Sequence, residues 1–266
     1  MQTKAAEQLI SENGRRSIDA LLKPLLHAAG VKAELLRPFE VRGEKYFLPR
    51  FSFRGPNSAD PIRIGIFAAI HGDEPAGALA TVQFLLDLVA EPALAEDYQI
   101  HAYPICNPTG FEDNTRCSRN GRDLNREFWK DSSEIEVQIM ENELRTQHFH
   151  GLIQLHADDT SDGIYGFVRG ATLTENLLRP ALREAGKILP RNNSALIDGF
   201  AAKDGMIYDV YEGVLAAPKE VEPVPFEIIF ETPHSAPIDL QVAALQAAMR
   251  TILKEYRAMI SFAQNI

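Results

Sequence analysis

The sequence predicts an α/β fold, a mixed and mostly parallel sheet of about eight strands sandwiched by helices. Two observations lead there. Short continuous apolar runs recur, IGIFAAI at 64–70, GLIQLH at 151–156 and FEIIFE at 226–231, with the length and composition of buried strands. Other segments carry apolar residues at helical spacing, as in Ala78, Val82, Leu85, Leu86 and Val89. With 266 residues, 45% of them hydrophobic, the chain suits one sizeable core better than two. Residues 1–266 are therefore expected to form a single domain, with 1–55 a helical and hairpin appendage to it.

Taken in order, residues 4–29 read as one or two helices, the second starting near Ser17, with Leu21, Leu22, Leu25 and Leu26 on one face and Gly30 as its stop. Ala33 to Arg54 reads as extended with a turn at Gly43, which suggests an edge hairpin. The loop GPNSADP at 55–61 leads into the central strand, and 74–90 forms a helix. Tyr98 to Cys106 is a second strand, ended by the turn residues Asn107, Pro108, Thr109 and Gly110. Ser133 to Gln147 is helical, with SSEIE as its capping signal. Ile164 to Arg169 reads as a strand and Leu173 to Ile188 as a helix. The stretch 190–225, rich in Gly, Pro and Asp, reads as a long loop region over a site, and Asp239 to Phe262 as a closing amphipathic helix.

The chemistry concentrates where strands end. His71 closes the central apolar run, and Gly72, Asp73 and Glu74 follow before the helix. In open α/β sheets ligands bind at this edge. A histidine and a glutamate on a tight loop can converge on one cation, although a helix-capping glutamate beside a structural histidine would look the same. The run at 151–156 also ends in a histidine, His156. If the two strands are parallel neighbours, His71, Glu74 and His156 form a two-histidine, one-carboxylate set with room for a water, a ligand set of catalytic zinc. His156 and Asp159 form a further H-x-x-D, so a second metal near Asp158 and Asp159 competes with the expected single zinc per chain. The segment FEDNTRCSRNGRDLNREFW at 111–129 places Arg116, Arg119, Arg122 and Arg126 within eleven residues of an acidic protein. Such a segment is either an anion site or a solvated loop whose arginines pair with nearby acids.

Bulk composition excludes other classes. A net charge of -10 argues against a nucleic-acid surface. Cys106 and Cys117 give no disulfide framework. The polar N-terminus and the absence of any run near 18 apolar residues lead to the expectation of a cytoplasmic protein with no membrane partner.

Taken together, HGDE at 71–74, NPTGF at 107–111, TRCSRNGRDLNREFW at 115–129, LHAD at 155–158 and FETP at 230–233 resemble the zinc metallocarboxypeptidase family. This is the carboxypeptidase A-like family, especially its compact bacterial type that acts on murein peptides, together with the related succinylglutamate desuccinylase/aspartoacylase group. The segments stand in family order across about 160 residues. The resemblance implies that His71, Glu74 and His156 bind Zn2+. It implies that Glu231 is the general base and acid, taking a proton from the zinc-bound water and delivering it to the leaving amine. Arg116 matches the arginine that polarises the scissile carbonyl, and Asn125 with Arg126 the pair that grips the substrate's terminal carboxylate. Arginine's planar fork suits that carboxylate, and a guanidinium beside the developing oxyanion stabilises charge that grows only in the transition state.

Asp123 is expected to orient Asn125 and Arg126 or to hold the loop, and Arg119 and Arg122 to be loop or rim residues. Many family members place a tyrosine on a mobile loop ahead of the base. Tyr208 and Tyr211 are the candidates here, with Phe200 the alternative occupant, and the place stays unassigned.

The expected reaction is removal of a C-terminal amino acid from a short peptide. The first alternative is an N-acyl amino acid amidohydrolase using the same machinery. That group usually carries a further C-terminal β domain, and the sequence after Glu231 offers only a helix, which favours the peptidase. The second alternative is a non-catalytic metal or peptide-binding module. Neither Asp204 nor Asp209 is assignable from sequence as a reader of a basic side chain.

Overall fold

The computed structural model describes residues 14–57, 59–170 and 174–264. The first of the helices expected before Ser17 lies largely outside the described residues, as does Leu173 at the start of a later one. Ser17 accepts a hydrogen bond from the Ala20 amide and caps α1 (Ile18–Leu26), whose Leu21, Leu22 and Leu25 are buried. β1 (Val31–Leu35) and β4 (Pro49–Arg54) pair antiparallel, and the chain between them forms a separate hairpin, β2 (Phe39–Val41) and β3 (Glu44–Tyr46). The expected edge hairpin is thus one hairpin inside another.

The remaining elements, α3 apart, are those the sequence predicts: β5 (Ile62–Ala68), α2 (Pro75–Ala90), β6 (Tyr98–Tyr103), α3 (Pro108–Asp113), α4 (Ile135–Thr146), β7 (Gly151–Asp158), β8 (Tyr165–Gly170) and α5 (Thr174–Ala185). Three short strands, β9 (Leu196–Ile197), β10 (Phe200–Lys203) and β11 (Met206–Ile207), precede β12 (Phe226–Pro233) and α6 (Ile238–Gln264). They add short strands to the 190–225 stretch expected as a long loop region, and Asp198, Val210, Tyr211 and Val214 of that stretch line the cavity described below. Strands of two to four residues are too short to show any periodicity in sequence.

The main sheet has ten strands in the order β1-β4-β6-β5-β7-β12-β8-β11-β10-β9. Its centre, β6-β5-β7-β12, is wholly parallel, and antiparallel pairs dominate the margins. Alternation along each strand divides the sheet's side chains between two faces. Ile64, Ile66, Ile153, Leu155, Ile228 and Phe230 pack with α1, α2, α5 and α6 on one face. Phe67, Leu152 and Tyr103 pack with α4, the β2-β3 hairpin and the 124–129 segment on the other. By the same parity Gln154, His156, Ile229 and Glu231 belong to this second face. No helix among the described residues is long and apolar enough to cross a membrane.

Candidate metal centre and active site

β5 stops at Ala68, so His71 and Glu74 stand on a loop beyond the strand. Ala69 has φ +47°, a left-handed conformation that costs a non-glycine residue about 1 kcal/mol and reverses the chain. The loop is braced from the segment after β6. The Cys106 and Asn107 amides donate to the Ala68 and Ala69 carbonyls, both at 3.0 Å. Asn107 also donates through its side chain to the Ile70 carbonyl at 3.2 Å, while its Oδ1 accepts from the Gly110 amide and caps α3. The residues NPTG therefore open a helix rather than forming the expected turn. A Cβ on Gly72 would lie 1.9 Å from the Gly110 carbonyl carbon, so the glycines of HGDE and NPTGF are one backbone contact that no larger residue permits.

This bracing sets three donor groups against one another. His71 Nδ1 lies 2.6 Å from Glu74 Oε1, and His156 Nδ1 lies 3.1 Å from Glu74 Oε2 and 3.3 Å from His71 Nδ1. All three residues are buried, and one ligand atom from each falls within 4.8 Å of the others. Tetrahedral bonds of about 2.1 Å place ligand atoms about 3.4 Å apart, so a small divalent cation fits this set with little adjustment. Glu74 is the N-cap of α2, where the helix dipole favours a negative charge. Its Oε2 also accepts from the Ala157 amide at 3.0 Å. Burial opposes that charge, yet His71 and His156 hold the carboxyl well below the usual carboxylate range. Burial pushes His156 down, towards the neutral form that binds metal. In His71 burial is outweighed by Glu74 and Asp123, which raise it.

Asp123 faces the other side of the His71 ring, with Oδ1 3.3 Å from Nε2. With the ring proton on Nε2 towards Asp123, Nδ1 would be the unprotonated donor facing Glu74 and His156. Asp123 also accepts from Arg116 and from the Asn125 amide at 3.0 Å. It thus holds the loop, as expected, and in addition contacts His71. The Arg116 guanidinium lies 3.3 Å from His71 Nδ1 and 3.7 Å from Glu74 Oε1.

A cavity of about 400 Å³ opens over this cluster. Arg116, Asn125, Arg126 and Glu231 all line it together with His71, Glu74 and His156. Glu231 pairs in register with His156 on one side and Tyr165 on the other. Burial first, then the charges of Glu74, Asp158 and Asp198, push the Glu231 carboxyl well above its usual value. Asn125 is buried and lines the cavity, and its Oδ1 accepts from the Leu215 amide at 2.9 Å. The Arg126 guanidinium stacks 4.2 Å above the Tyr211 ring.

The other arginines divide as the competing reading of the loop supposes. Arg119 pairs with Asp113 and Glu44 and donates to Tyr46, tying the β2-β3 hairpin to the loop, and Arg122 is exposed. Of the candidate tyrosines, Tyr211 lines the cavity and donates to the Asp198 carbonyl at 3.0 Å, whereas Tyr208 donates to Glu175 away from it. Phe200 packs edge-on against Tyr211. Asp158 accepts from Thr160 and from the Tyr165 hydroxyl. Neither it nor Asp159 joins a group of three close ligand atoms among the described residues. Asp204 pairs with Arg179, and neither it nor Asp209 lines the cavity.

Sequence reasoning missed Asp198, Phe167, Val214 and Ile229, which line the wall together with others such as Tyr165, Val210 and His234. Ile229 could have been found, because it stands two residues before Glu231 on the same strand face. The others come from segments whose position depends on the sheet order.

Residues 61–186 match the succinylglutamate desuccinylase/aspartoacylase catalytic domain. No protein of curated function matches the chain by sequence. Among solved structures, a candidate metallopeptidase of Shewanella baltica OS155 superposes with a TM-score of 0.74 at 22% identity, covering 90% of this chain and 92% of that one. A metallo-carboxypeptidase from Burkholderia cenocepacia gives 0.66 at 18% identity, over 91% of this chain and 68% of that one. A metallo-carboxypeptidase from Pseudomonas aeruginosa, solved with (2-guanidinoethylmercapto)succinic acid, gives 0.63 at 19% identity, over 90% and 69%. The chain has a metallo-carboxypeptidase-like fold and matches, over 61–186, the succinylglutamate desuccinylase/aspartoacylase catalytic domain.

Proposed function

We propose that this chain is a zinc-dependent hydrolase that cleaves the amide bond next to a free carboxylate, removing the C-terminal residue of a short peptide. The observation that carries the reading is that Asn125 and Arg126 share one cavity with the cluster of His71, Glu74 and His156. A carboxylate grip beside three metal-type donors suits a substrate whose scissile amide is one residue from its carboxyl end. His71 and His156 through Nδ1, with Glu74, would hold the ion, which when bound supplies Lewis acidity and lowers the pKa of water towards 7.

The protein's own groups do the rest. Arg126 and the Asn125 NH2 fix the terminal carboxylate, and with it the amide beside Arg116 and Glu231. Arg116, held by Asp123, presents its guanidinium to the carbonyl oxygen as negative charge develops there. Glu231 takes a proton on its carboxylate as water adds to the carbonyl carbon, and returns that proton to the leaving nitrogen as the C–N bond breaks. Burial and the neighbouring acids raise its affinity for that proton, which favours holding it between the two steps.

The match to the desuccinylase/aspartoacylase catalytic domain favours one second reading, hydrolysis of an N-acyl amino acid. That substrate has the same amide and carboxylate and differs only in the acyl part. Elemental analysis of the wild type and His71→Ala, with a mixed library of peptides and N-acyl amino acids, tests both. One zinc per chain, lost in the variant, with peptides shortened from the C-terminus, is the expected result. Zinc with cleavage of N-acyl amino acids alone selects the second reading, and failure to bind metal after reconstitution overturns both.

A further inference from the structure

We propose that Gln154 is a positioning residue that fixes the orientation of the Asn125 side chain through a single intervening residue, Leu215. Gln154 lies two residues before His156 on β7, on the same sheet face, and is 2% exposed. Its Nε2 donates to the Leu215 carbonyl at 2.9 Å, and the Leu215 amide donates to Asn125 Oδ1 at 2.9 Å. Leu215 is thus held at its carbonyl by the sheet and at its amide by Asn125. The two side chains meet across it without touching.

The electronic logic is one of amide direction. A terminal amide can present either its oxygen or its NH2 to a cavity, and only the NH2 binds a carboxylate. With the Leu215 N–H fixed, Asn125 must offer Oδ1 to it and so turns its NH2 to the cavity that it lines. The neighbouring backbone leaves this strap little freedom. Gly213, at φ +75°, lies so close to Arg126 that a Cβ there would stand 2.2 Å from the Arg126 carbonyl oxygen, and its own carbonyl accepts from the Phe128 amide at 3.0 Å.

Core packing alone does not account for Gln154. Its Oε1 is buried without a hydrogen-bond partner among the described residues. A buried, unsatisfied acceptor costs stability, and a methionine of the same length would avoid that cost. What the glutamine has and the methionine lacks is the N–H that holds Leu215.

This inference rests on the proposed role of Asn125, and the test separates the two. In the full-length zinc-loaded protein, Gln154→Met is expected to speed hydrogen exchange at the Leu215 amide at least tenfold while α2 and α6 stay protected. For a blocked dipeptide with a free terminal carboxylate it is expected to raise KM about tenfold with kcat within twofold. Asn125→Ala should raise KM more, and adding Gln154→Met to it should raise KM no further, since the two act through one path. Asn125→Asp serves where Gln154→Met fails to fold. It keeps an oxygen for the Leu215 amide, so exchange there should match wild type, while KM rises at least a hundredfold through repulsion of the substrate carboxylate. Unchanged Leu215 exchange in Gln154→Met, additive KM effects, or accelerated Leu215 exchange in Asn125→Asp would overturn the proposal. If the wild type cleaves nothing, the functional reading fails, and the exchange data still decide whether Gln154 holds Leu215.

Discussion

Asp123 and His71 face each other at 3.3 Å between Oδ1 and Nε2, on the side of the imidazole away from Glu74. A carboxylate there fixes which ring nitrogen carries the proton and makes the other a better ligand. Asp123→Asn keeps the size of the side chain and removes its charge. We expect zinc affinity to fall about 10- to 100-fold, read by competition with a chromophoric chelator. An unchanged affinity would show that the contact does not tune the centre.

Glu231 is the proposed proton carrier and contributes no atom to the three-residue donor group. Glu231→Gln is expected to lower kcat by about 10²- to 10⁴-fold while zinc content stays at the wild-type value. Turnover within threefold of wild type would remove Glu231 from the mechanism, and loss of zinc would make it part of the metal site instead.

Gly72 and Gly110 touch backbone to backbone, and a Cβ on Gly72 would overlap the Gly110 peptide. Neither partner can yield as a flexible side chain would, so the HGDE loop or the start of α3 must move. Gly72→Ala is expected to destabilise the fold by about 3 kcal/mol or more, seen as a lower urea midpoint at unchanged slope. A loss below about 1 kcal/mol would mean that the loop shifts easily.

Glu136 on α4 is 2% exposed, and burial pushes its carboxyl up to about 7 from an ordinary 4.5. Between those values the unfolded chain gives up the proton and the folded chain keeps it. Stability therefore falls as pH rises from about 4.5 to 7 and is level above. At about 1.4 kcal/mol per pH unit this amounts to roughly 3 kcal/mol at pH 8 and under about 1 kcal/mol at pH 5. Glu136→Gln should recover that difference in denaturant unfolding. An equal gain at both pH values would show that Glu136 does not titrate in this range.

Much of the site is local chemistry, and local chemistry is readable. Apolar runs ending in His71 and His156, a glutamate three residues after the first, and a glutamate at the end of FEIIFE already mark the edge of a sheet. The arginine-rich loop is legible as an anion site or a paired surface loop, and its arginines divide between two places: Arg116 and Arg126 line the cavity while Arg119 pairs with Asp113 and Glu44. No periodicity separates those cases, because the loop has no repeating geometry.

What the sequence by itself determined is the set of buried strands, the helices between them and the residue types at the strand ends, since these follow from side-chain period and burial. The tertiary structure alone decided the order β5-β7-β12, which places His71, His156 and Glu231 on adjacent strands or their loops, and the short strands β9 to β11. It alone brought Leu215 between Gln154 and Asn125 and set Asp198 in the cavity wall. The reason is physical: strand and helix periods are properties of neighbours along the chain, whereas a hydrogen bond between residues 61 or 90 positions apart exists only once the sheet order has brought them together.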